Sequence, residues 1–200
     1  MIKKKTYILK YLFDYIFAFI LILILLPLII LIAFLIKIDD RNGPIIFKQK
    51  RVGKDNKDFV LYKFRTMIVG AENKGNGIYC AEDDPRITRV GKILRKFSLD
   101  EIPQLLNILK GEMSFVGPRP TLRYQVEKYN KRQMKRLSVK PGITGWAQVN
   151  GRNSIPWSKR IELDLWYIEN WSLWLDIKIL FLTFMRKDKG VYGNKDIFDL

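Results

Sequence analysis

An uninterrupted apolar segment near the N-terminus is the strongest constraint on how this chain can fold. Residues 15–36 are 22 consecutive uncharged residues, almost all Ile, Leu, Phe and Ala. At a helical rise of about 1.5 Å per residue, such a segment is roughly 33 Å long, enough to cross a bilayer core of roughly 30 Å. It runs into Lys37 and Asp39 without a small-residue cleavage site, so a secretory signal peptide fits poorly. The sequence therefore predicts a membrane helix.

Pro27 divides this segment and leaves its course in the membrane open. Proline inside a helix removes one backbone hydrogen bond and kinks the axis, and each arm alone reaches only about the middle of the bilayer. Lys and Arg residues flank the segment on both sides, and such residues favour the cytoplasmic face. A helix that enters, breaks at Pro27 and returns places both flanks in the cytoplasm, whereas a kinked spanning helix does not. Both courses stay open on these residues alone.

The charge balance and the missing residue types limit the chemistry of the chain. It has 36 Lys and Arg against 20 Asp and Glu, a net charge of +16, of which +12 lies in residues 39–200. Such an excess favours anionic partners: nucleic acid, lipid head groups or phosphorylated substrates. The chain has one cysteine, Cys80, and no histidine, which excludes a disulfide framework, a Ser-His-Asp triad and histidine metal sites. Catalysis would have to use carboxylates, Arg, Lys, hydroxyls, the lone thiol or a hard cation.

The part of the chain after the apolar segment is predicted to be α+β and mostly helical. Strand-like runs at 45–47 and 59–64 flank a turn at 53–57 and predict a β-hairpin. Helices are predicted at 86–96, 101–109, 124–137, 158–169 and 173–187, with loops at 73–77 and 140–153. The aromatic residues of the last two helices suit either a membrane boundary or an ordinary core. We therefore expect two parts, a membrane helix over 1–38 and one domain over 39–200.

Two adjacent carboxylates, Asp100 and Glu101, are the best candidates for catalysis. Their segment has an ordinary structural interpretation as a helix start, with Ser98 or Asp100 as the N-cap and Pro103 in the first turn. In the functional interpretation, the non-helical backbone at a helix start lets both carboxylates face one site, where helix N–H groups also favour a phosphate. Two carboxylates beside a phosphate would repel it, so a hard cation such as Mg²⁺ is expected between them.

Several arginines near predicted turns and helix ends are candidate phosphate ligands, because a guanidinium group binds two phosphate oxygens at once. They are Arg86, Arg89, Arg95, Arg119 and Arg152. The chain contains neither a Walker A sequence nor a Gly-x-Gly-x-x-Gly motif. Ordinary kinase, NTPase and dinucleotide-binding interpretations therefore lack support.

Six ordered blocks of this sequence resemble the bacterial sugar transferase family, the monotopic polyprenyl-phosphate phosphoglycosyltransferases. The blocks lie at residues 47–53, 62–67, 84–89, 98–104, 111–120 and 140–152. They include Ser98-Leu99-Asp100-Glu101-Ile102-Pro103 and Gly117-Pro118-Arg119-Pro120. The chain looks most like small members that start glycan assembly on undecaprenyl phosphate with N-acetylated sugars, the N,N'-diacetylbacillosamine-1-phosphate transferase type. Leu26 departs from the pattern, because small members often have serine before the helix-breaking proline.

The resemblance implies a two-step transfer through a covalent intermediate. Asp100 would attack the β-phosphate of a UDP-sugar, release UMP and form an aspartyl phospho-sugar. Polyprenyl phosphate (undecaprenyl phosphate) would then accept the sugar phosphate and initiate glycan or glycoconjugate assembly. Glu101 is implied as the second catalytic carboxylate, and Asp100 and Glu101 as ligands of Mg²⁺.

The resemblance also implies how the substrates and the membrane are contacted. Arg119 and Arg152 match anion and donor contacts, and Arg86 and Arg95 are the further candidate substrate ligands. A re-entrant helix broken at Pro27 would anchor a catalytic domain on the cytoplasmic face of the bacterial inner membrane, with membrane lipids as partners. Neither the transferred sugar nor the oligomeric state follows from the sequence.

Two other classes of function fit parts of the sequence less well. A membrane-anchored nucleic-acid-binding protein would use the basic charge and show salt-dependent affinity without turnover; we expect no nucleic-acid partner. A metal-dependent lipid phosphatase built on Asp100 and Glu101 would release inorganic phosphate without a nucleotide sugar. It would leave Pro118-Arg119-Pro120 without an evident purpose.

Overall fold

One long helix, a hairpin and a series of short helices and strands make up residues 4–71 and 84–185, the part of the chain that the computed structural model describes. The first elements are α1 (Lys4–Asp39), β1 (Ile46–Val52), β2 (Asp58–Phe64), α2 (Arg89–Lys96), α3 (Gln104–Leu109) and β3 (Ser114–Val116). They are followed by α4 (Arg123–Val126), β4 (Gly142–Thr144), α5 (Trp146–Val149), α6 (Trp157–Glu169) and α7 (Leu173–Met185). Short 3₁₀ turns lie at Lys54–Asn56, Leu99–Glu101, Gln133–Ser138 and Arg152–Ser154. The predicted mixed class, mostly helical with a small β-hairpin, is confirmed.

The β1–β2 hairpin carries a side chain of the candidate site at its end. The strands are antiparallel, with Phe47 opposite Lys63 and Val52 opposite Asp58. Because side chains alternate along a strand, Lys63 points to the same face as Phe59 and Leu61, which are core residues. Strand β1 is longer than the run predicted at 45–47. Its second half was missed because exposed lysines alternate there with half-buried residues and obscure the apolar pattern.

A second, parallel sheet joins β3 to β4 and was not predicted. Ser114 pairs with Gly142 and Val116 with Thr144, and the backbones beyond these pairs approach closely. A Cβ atom at Gly142 would lie 2.1 Å from the backbone N of Gly117, so only glycine fits there. The predicted loop at 140–153 is therefore partly a strand and a short helix, and it holds the segment that leads to Arg119.

Helix α1 packs against the rest of the described chain through one stripe of side chains at three- or four-residue spacing. Ala18 packs against Leu105 and Ile108 of α3, and Ile36, with its neighbour Ile32, packs against the core around Phe64. Most of its other apolar side chains are exposed, and the helix is long and apolar enough to cross a membrane. The helix continues through Pro27, so the predicted break is not seen as an interruption. Its re-entrant course stays a prediction.

Several predicted helix bounds are wrong, each because of a local polar contact. Helix α2 starts at Arg89, where the Thr88 side chain accepts a hydrogen bond from the N–H of Gly91. The predicted helix at 124–137 is divided, because the Asn130 side chain accepts from the N–H groups of Arg132 and Gln133 and begins a new turn there. Helices α6 and α7 agree with prediction within the described residues. The predicted loop at 73–77, Cys80 and positions 186–187 lie outside them.

Candidate active site

Asp100 and Glu101 lie in the short 3₁₀ turn between α2 and α3, and both are at least nine-tenths buried. Ser98, just before them, has φ 54°, a left-handed conformation that is strained for a residue other than glycine. In the described chain Ser98 makes no side-chain capping bond, and α3 begins at Gln104 after Pro103. The helix-cap interpretation of this segment is therefore wrong. With six residues, α3 is also too short for the expected helix-dipole contribution.

Lys63 joins the two carboxylates. Its Nζ lies 2.7 Å from Oε1 of Glu101 and 3.3 Å from Oδ2 of Asp100. The strand alternation that turns Phe59 and Leu61 into the core also turns Lys63 toward this turn. Lys63 was not predicted to belong to the site. Its place in the family-like block at 62–67 was the available signal.

Asn107 ties α3 to β2 and so sets the distance between Lys63 and the carboxylates. Its side chain is fully buried. Oδ1 accepts a hydrogen bond from the N–H of Tyr62 (3.1 Å), and Nδ2 donates to the carbonyl of Val60 (2.7 Å) and to Glu112 (2.7 Å). A carboxamide can make all three bonds because it both donates and accepts. The residue next to Lys63 is thereby anchored to the helix that follows Glu101.

Nearby cationic side chains act on Glu101. Burial by itself raises the pKa of this carboxyl group, but Lys63, Arg119 and Arg152 lower it, and the net result lies well below the usual range. Arg119 Nη2 is 3.4 Å from Oε1 of Glu101, and Arg152 acts through its charge. Arg152 itself has a left-handed backbone, φ 52°, which is strained. Glu101 is therefore ionised at neutral pH in spite of its burial.

The backbone of the Pro118-Arg119-Pro120 segment is held from two sides. Arg136 donates from Nη2 to the carbonyl of Arg119 (2.8 Å) and from Nε to Asp164 (2.6 Å), and this ion pair is almost completely buried. Arg51 donates to the carbonyl of Pro120 (3.4 Å). The Arg119 side chain is left 37% exposed, so it can contact both Glu101 and a ligand.

Arg86 and Arg95 have partners of a different kind. The buried Arg86 guanidinium forms an ion pair with Asp84 (2.7 Å) and donates to the carbonyl of Ala71 (2.9 Å). Arg95 donates to the hydroxyl of Thr66 (2.9 Å). The structure thus brings Arg119 and Arg152 to Glu101. Arg86 and Arg95 instead bind residues of the segments around α2. A substrate-binding role for these two residues stays a prediction.

The carboxylate pair fits a hard divalent cation by the chemistry of its oxygen donors. One cationic group, the Lys63 ammonium, already lies within reach of both carboxylates, and Glu101 is held ionised. Within the described residues, no group of three or more Asp, Glu, Cys or His side chains could hold a metal. Mg²⁺ commonly takes one or two carboxylates and completes its shell with water and substrate phosphates, so Asp100 and Glu101 would suffice as protein ligands if a metal binds here.

Comparison with known proteins relates this site to a named family. The family model for bacterial sugar transferases matches residues 5–188. An uncharacterized sugar transferase, EpsL of Bacillus subtilis, is 55% identical over 140 residues, which are 70% of this chain and 68% of that protein.

Two relatives with named activities are longer. The UDP-glucose:undecaprenyl-phosphate glucose-1-phosphate transferase of Escherichia coli is 47% identical over 78% of this chain and 35% of its own length. The undecaprenyl-phosphate galactose phosphotransferase of Salmonella typhimurium is 42% identical over 81% of this chain and 37% of its own length. This chain thus spans about a third of these two relatives. Because the family match extends over nearly the whole sequence, the chain belongs to the bacterial sugar transferase family.

Proposed function

We propose that this protein is a membrane-associated phosphoglycosyltransferase that moves a sugar-1-phosphate from a UDP-sugar to undecaprenyl phosphate and releases UMP. The observation that carries the proposal is the buried Asp100–Glu101 pair, surrounded by Lys63, Arg119 and Arg152. Relatives over most of this chain are named undecaprenyl-phosphate sugar transferases. A paired carboxylate beside several cations suits a reaction between two phosphates, in which repulsion between anions is the main obstacle.

In the proposed first step Asp100 is the nucleophile. Among the described residues its Oδ1 accepts no hydrogen bond, whereas Oδ2 faces Lys63, so one oxygen keeps a lone pair for attack. A bond forms between this oxygen and the β-phosphorus of the donor, and the phosphoanhydride bond to the α-phosphate breaks. UMP leaves with the electron pair, and Arg119 and Arg152 stabilise the charge on its phosphate.

In the second step, attack by the acceptor frees Asp100 from the covalent intermediate. A phosphate oxygen of undecaprenyl phosphate attacks the same phosphorus, the aspartyl–phosphorus bond breaks, and Asp100 returns to a carboxylate. Each step then involves one anionic attack, which is the advantage of a covalent route. The product is a diphosphate-linked lipid sugar, the first intermediate of a glycan.

Glu101 and Lys63 orient the groups around the nucleophile. Glu101 accepts from Lys63 and Arg119 and so holds both cations beside the phosphates. Mg²⁺, held by Asp100 and Glu101, would neutralise charge that develops on the phosphoryl oxygens. Asp is shorter and has one fewer rotatable bond than Glu, so Asp100 is better held for attack.

The way in which α1 is fastened supports a proposal about its course in the membrane. Lys10, near its start, forms a buried ion pair with Asp176 (2.6 Å), and Asp39, at its end, accepts from the N–H of Val90 (2.9 Å). Since both ends contact the same domain while the outer faces stay apolar and exposed, we propose that both flanks lie on one side. A re-entrant or in-plane course on the cytoplasmic face of the inner membrane satisfies this arrangement.

The covalent route is tested by omitting the lipid acceptor. With donor and Mg²⁺ alone, the enzyme should exchange labelled UMP into the UDP-sugar, because the first step is reversible. Asp100→Asn should abolish exchange, Glu101→Gln should leave a trace, and Asp58→Asn, at an exposed position outside the site, should exchange like wild type. No exchange by a preparation that completes the full reaction would show direct attack by the lipid phosphate, with Asp100 as a metal ligand.

The sugar is a separate question, because the named relatives transfer different ones. A panel of UDP-glucose, UDP-galactose, UDP-GlcNAc, UDP-GalNAc and UDP-diacetylbacillosamine, each with undecaprenyl phosphate, would identify the donor. The sequence resemblance to small enzymes favours the N-acetylated donors.

A further inference from the structure

A cleft rich in guanidinium groups opens beside the candidate active site. It is lined by four arginines, Arg119, Arg136, Arg152 and Arg160, together with Gln148, Trp157 and Asp164, the acid that pairs with Arg136. Arg119 and Arg152 also act on Glu101. The cleft therefore shares two cationic side chains with the candidate active site.

Gln148 presents hydrogen-bonding atoms that nothing in the described chain satisfies. The residue is 7% exposed, and both its Nε2 and its Oε1 are buried without a hydrogen-bond partner among the described residues. Buried polar groups are normally paired, because an unpaired one loses its water without compensation. Gly145 leaves the space for this side chain, since a Cβ there would lie 2.7 Å from Oε1 of Gln148. A carboxamide held in this way is suited to a ligand.

Trp157 adds a donor at the same place. The guanidinium carbons of Arg136 and Arg160 both lie 5.3 Å from the centre of its ring, so its aromatic surface is used to support the arginines. Its buried Nε1 has no partner in the described chain and remains able to donate. Burial, with Arg119 and Arg136 nearby, lowers the pKa of Arg160 to about 10. Asp164, which pairs with Arg136, offsets part of the repulsion among these cations, and the phosphates of an anionic ligand would offset more of it.

We infer that this cleft binds the nucleoside end of the donor and that Gln148 recognises its pyrimidine base. The inference rests on the proposed function. The imide edge of uracil carries an N–H between two carbonyl groups, and a carboxamide pairs with it through two hydrogen bonds. Oε1 of Gln148 accepts from the base N–H, and Nε2 donates to an adjacent carbonyl oxygen. Nε1 of Trp157 donates to a further acceptor of the nucleoside.

The sharing of Arg119 and Arg152 agrees with the chemistry of a nucleoside diphosphate sugar. The diphosphate joins the sugar to the nucleoside, and these two arginines both act on Glu101 and line the cleft with Gln148. When these two arginines hold the phosphates, the sugar-bearing phosphorus faces Asp100 and the nucleoside enters the cleft. Gln148 then recognises the base and Asp100 performs the attack, while the two arginines bind the diphosphate that connects these ends of the donor.

The test measures binding rather than turnover, using the full chain in detergent or nanodiscs. UMP, AMP and inorganic pyrophosphate are titrated calorimetrically against wild type, Gln148→Leu and Gln148→Glu. Wild type should bind UMP about tenfold or more tightly than AMP. Both variants should lose about tenfold or more in UMP affinity, as expected when a paired buried hydrogen-bond group is removed. Pyrophosphate affinity should change by no more than about twofold in Gln148→Leu, because the arginines remain.

Gln148→Glu has the size of the native residue, and Gln133→Glu, outside the cleft, is its control for the added charge. Unchanged UMP affinity in both Gln148 variants would overturn the inference, as would an equal loss of UMP and pyrophosphate in Gln148→Leu. The two proposals can fail separately. Base-selective binding that needs Gln148, without sugar-phosphate transfer, would contradict only the proposed function. Transfer by wild type with Gln148-independent UMP binding would contradict only the subsite.

Discussion

Glu101 is a buried carboxylate that stays ionised because Lys63, Arg119 and Arg152 surround it, and this links stability to pH. Its folded pKa is below its unfolded value, so the stabilisation is fully present above the unfolded pKa of about 4.5. It is lost as the pH falls from there toward the folded pKa. Glu101→Gln should lower the free energy of unfolding by about 2 kcal/mol at pH 7, and by less at pH 3.

Denaturant unfolding in detergent at both pH values checks this expectation. Glu162→Gln, which breaks an exposed pair with Arg132, is the matched control and should cost no more than about 1 kcal/mol. An equal effect of Glu101→Gln at pH 3 and pH 7 would contradict the ionisation of this residue in the folded protein.

The pair of carboxylates also leads to an expectation about cations. If Asp100 and Glu101 hold Mg²⁺ against the donor phosphates, transfer should disappear in excess EDTA and return when Mg²⁺ is added. Donor turnover, followed as UMP release, is the measurement. Full activity in EDTA would remove the metal from the mechanism and leave charge stabilisation to cationic side chains such as Lys63, Arg119 and Arg152.

At the scale of elements, the site depends on how α3 is fixed to β2. Asn107→Asp keeps the size of the side chain and its acceptors but loses both Nδ2 bonds, to the carbonyl of Val60 and to Glu112. We expect Lys63 to shift relative to Glu101, with kcat about tenfold lower, KM for the donor nearly unchanged and stability about 2 kcal/mol lower. Steady-state kinetics over a donor series separates the two constants.

Asn170→Asp is the control for this substitution, because Asn170 is exposed and its side chain donates to the carbonyl of Trp166, its one hydrogen-bond partner among the described residues. It should change neither constant. A rise in KM with unchanged kcat in Asn107→Asp would instead mean that Asn107 serves donor binding and does not position the catalytic groups.

At the scale of the whole molecule, α1 packs into three of the hydrophobic clusters that the other described elements form. Asp176 of α7 accepts from Lys10 of α1 and also from Tyr167 and Trp171, and Asp40, just beyond α1, binds Arg65 (2.5 Å). Both ends of the helix are thus held to the same domain. We expect Lys4→Cys and Arg41→Cys, each in a Cys80→Ser background, to be equally protected from a membrane-impermeant thiol reagent added to intact cells.

As the control for accessibility, the same two cysteines should react equally with the reagent after the cells are permeabilised. Labelling of one position in intact cells would establish a helix that spans the bilayer. It would also require the contacts at Lys10 and Asp176 to be absent in the membrane.

Local patterns in the sequence were enough for the parts of this protein that depend on neighbouring residues. The apolar segment, the hairpin and helices α6 and α7 follow from hydrophobic periodicity and turn residues, which act over a few positions. Asp100 and Glu101 could be singled out because they are adjacent and lie at a predicted element boundary. Arg119 and Arg152 followed from their place near turns and from the family-like blocks.

Contacts between distant segments decided the rest. Lys63 reaches Glu101 across 38 positions, and Asn107 reaches the Val60 carbonyl across 47, so no local pattern marks either side chain as part of the site. The pairing of Arg86 with Asp84 was likewise not predicted, because a buried guanidinium needs a counter-charge and only the folded chain determines which one it meets. Hydrophobic periodicity predicts which residues face the core, but only the folded chain determines which of them contact one another.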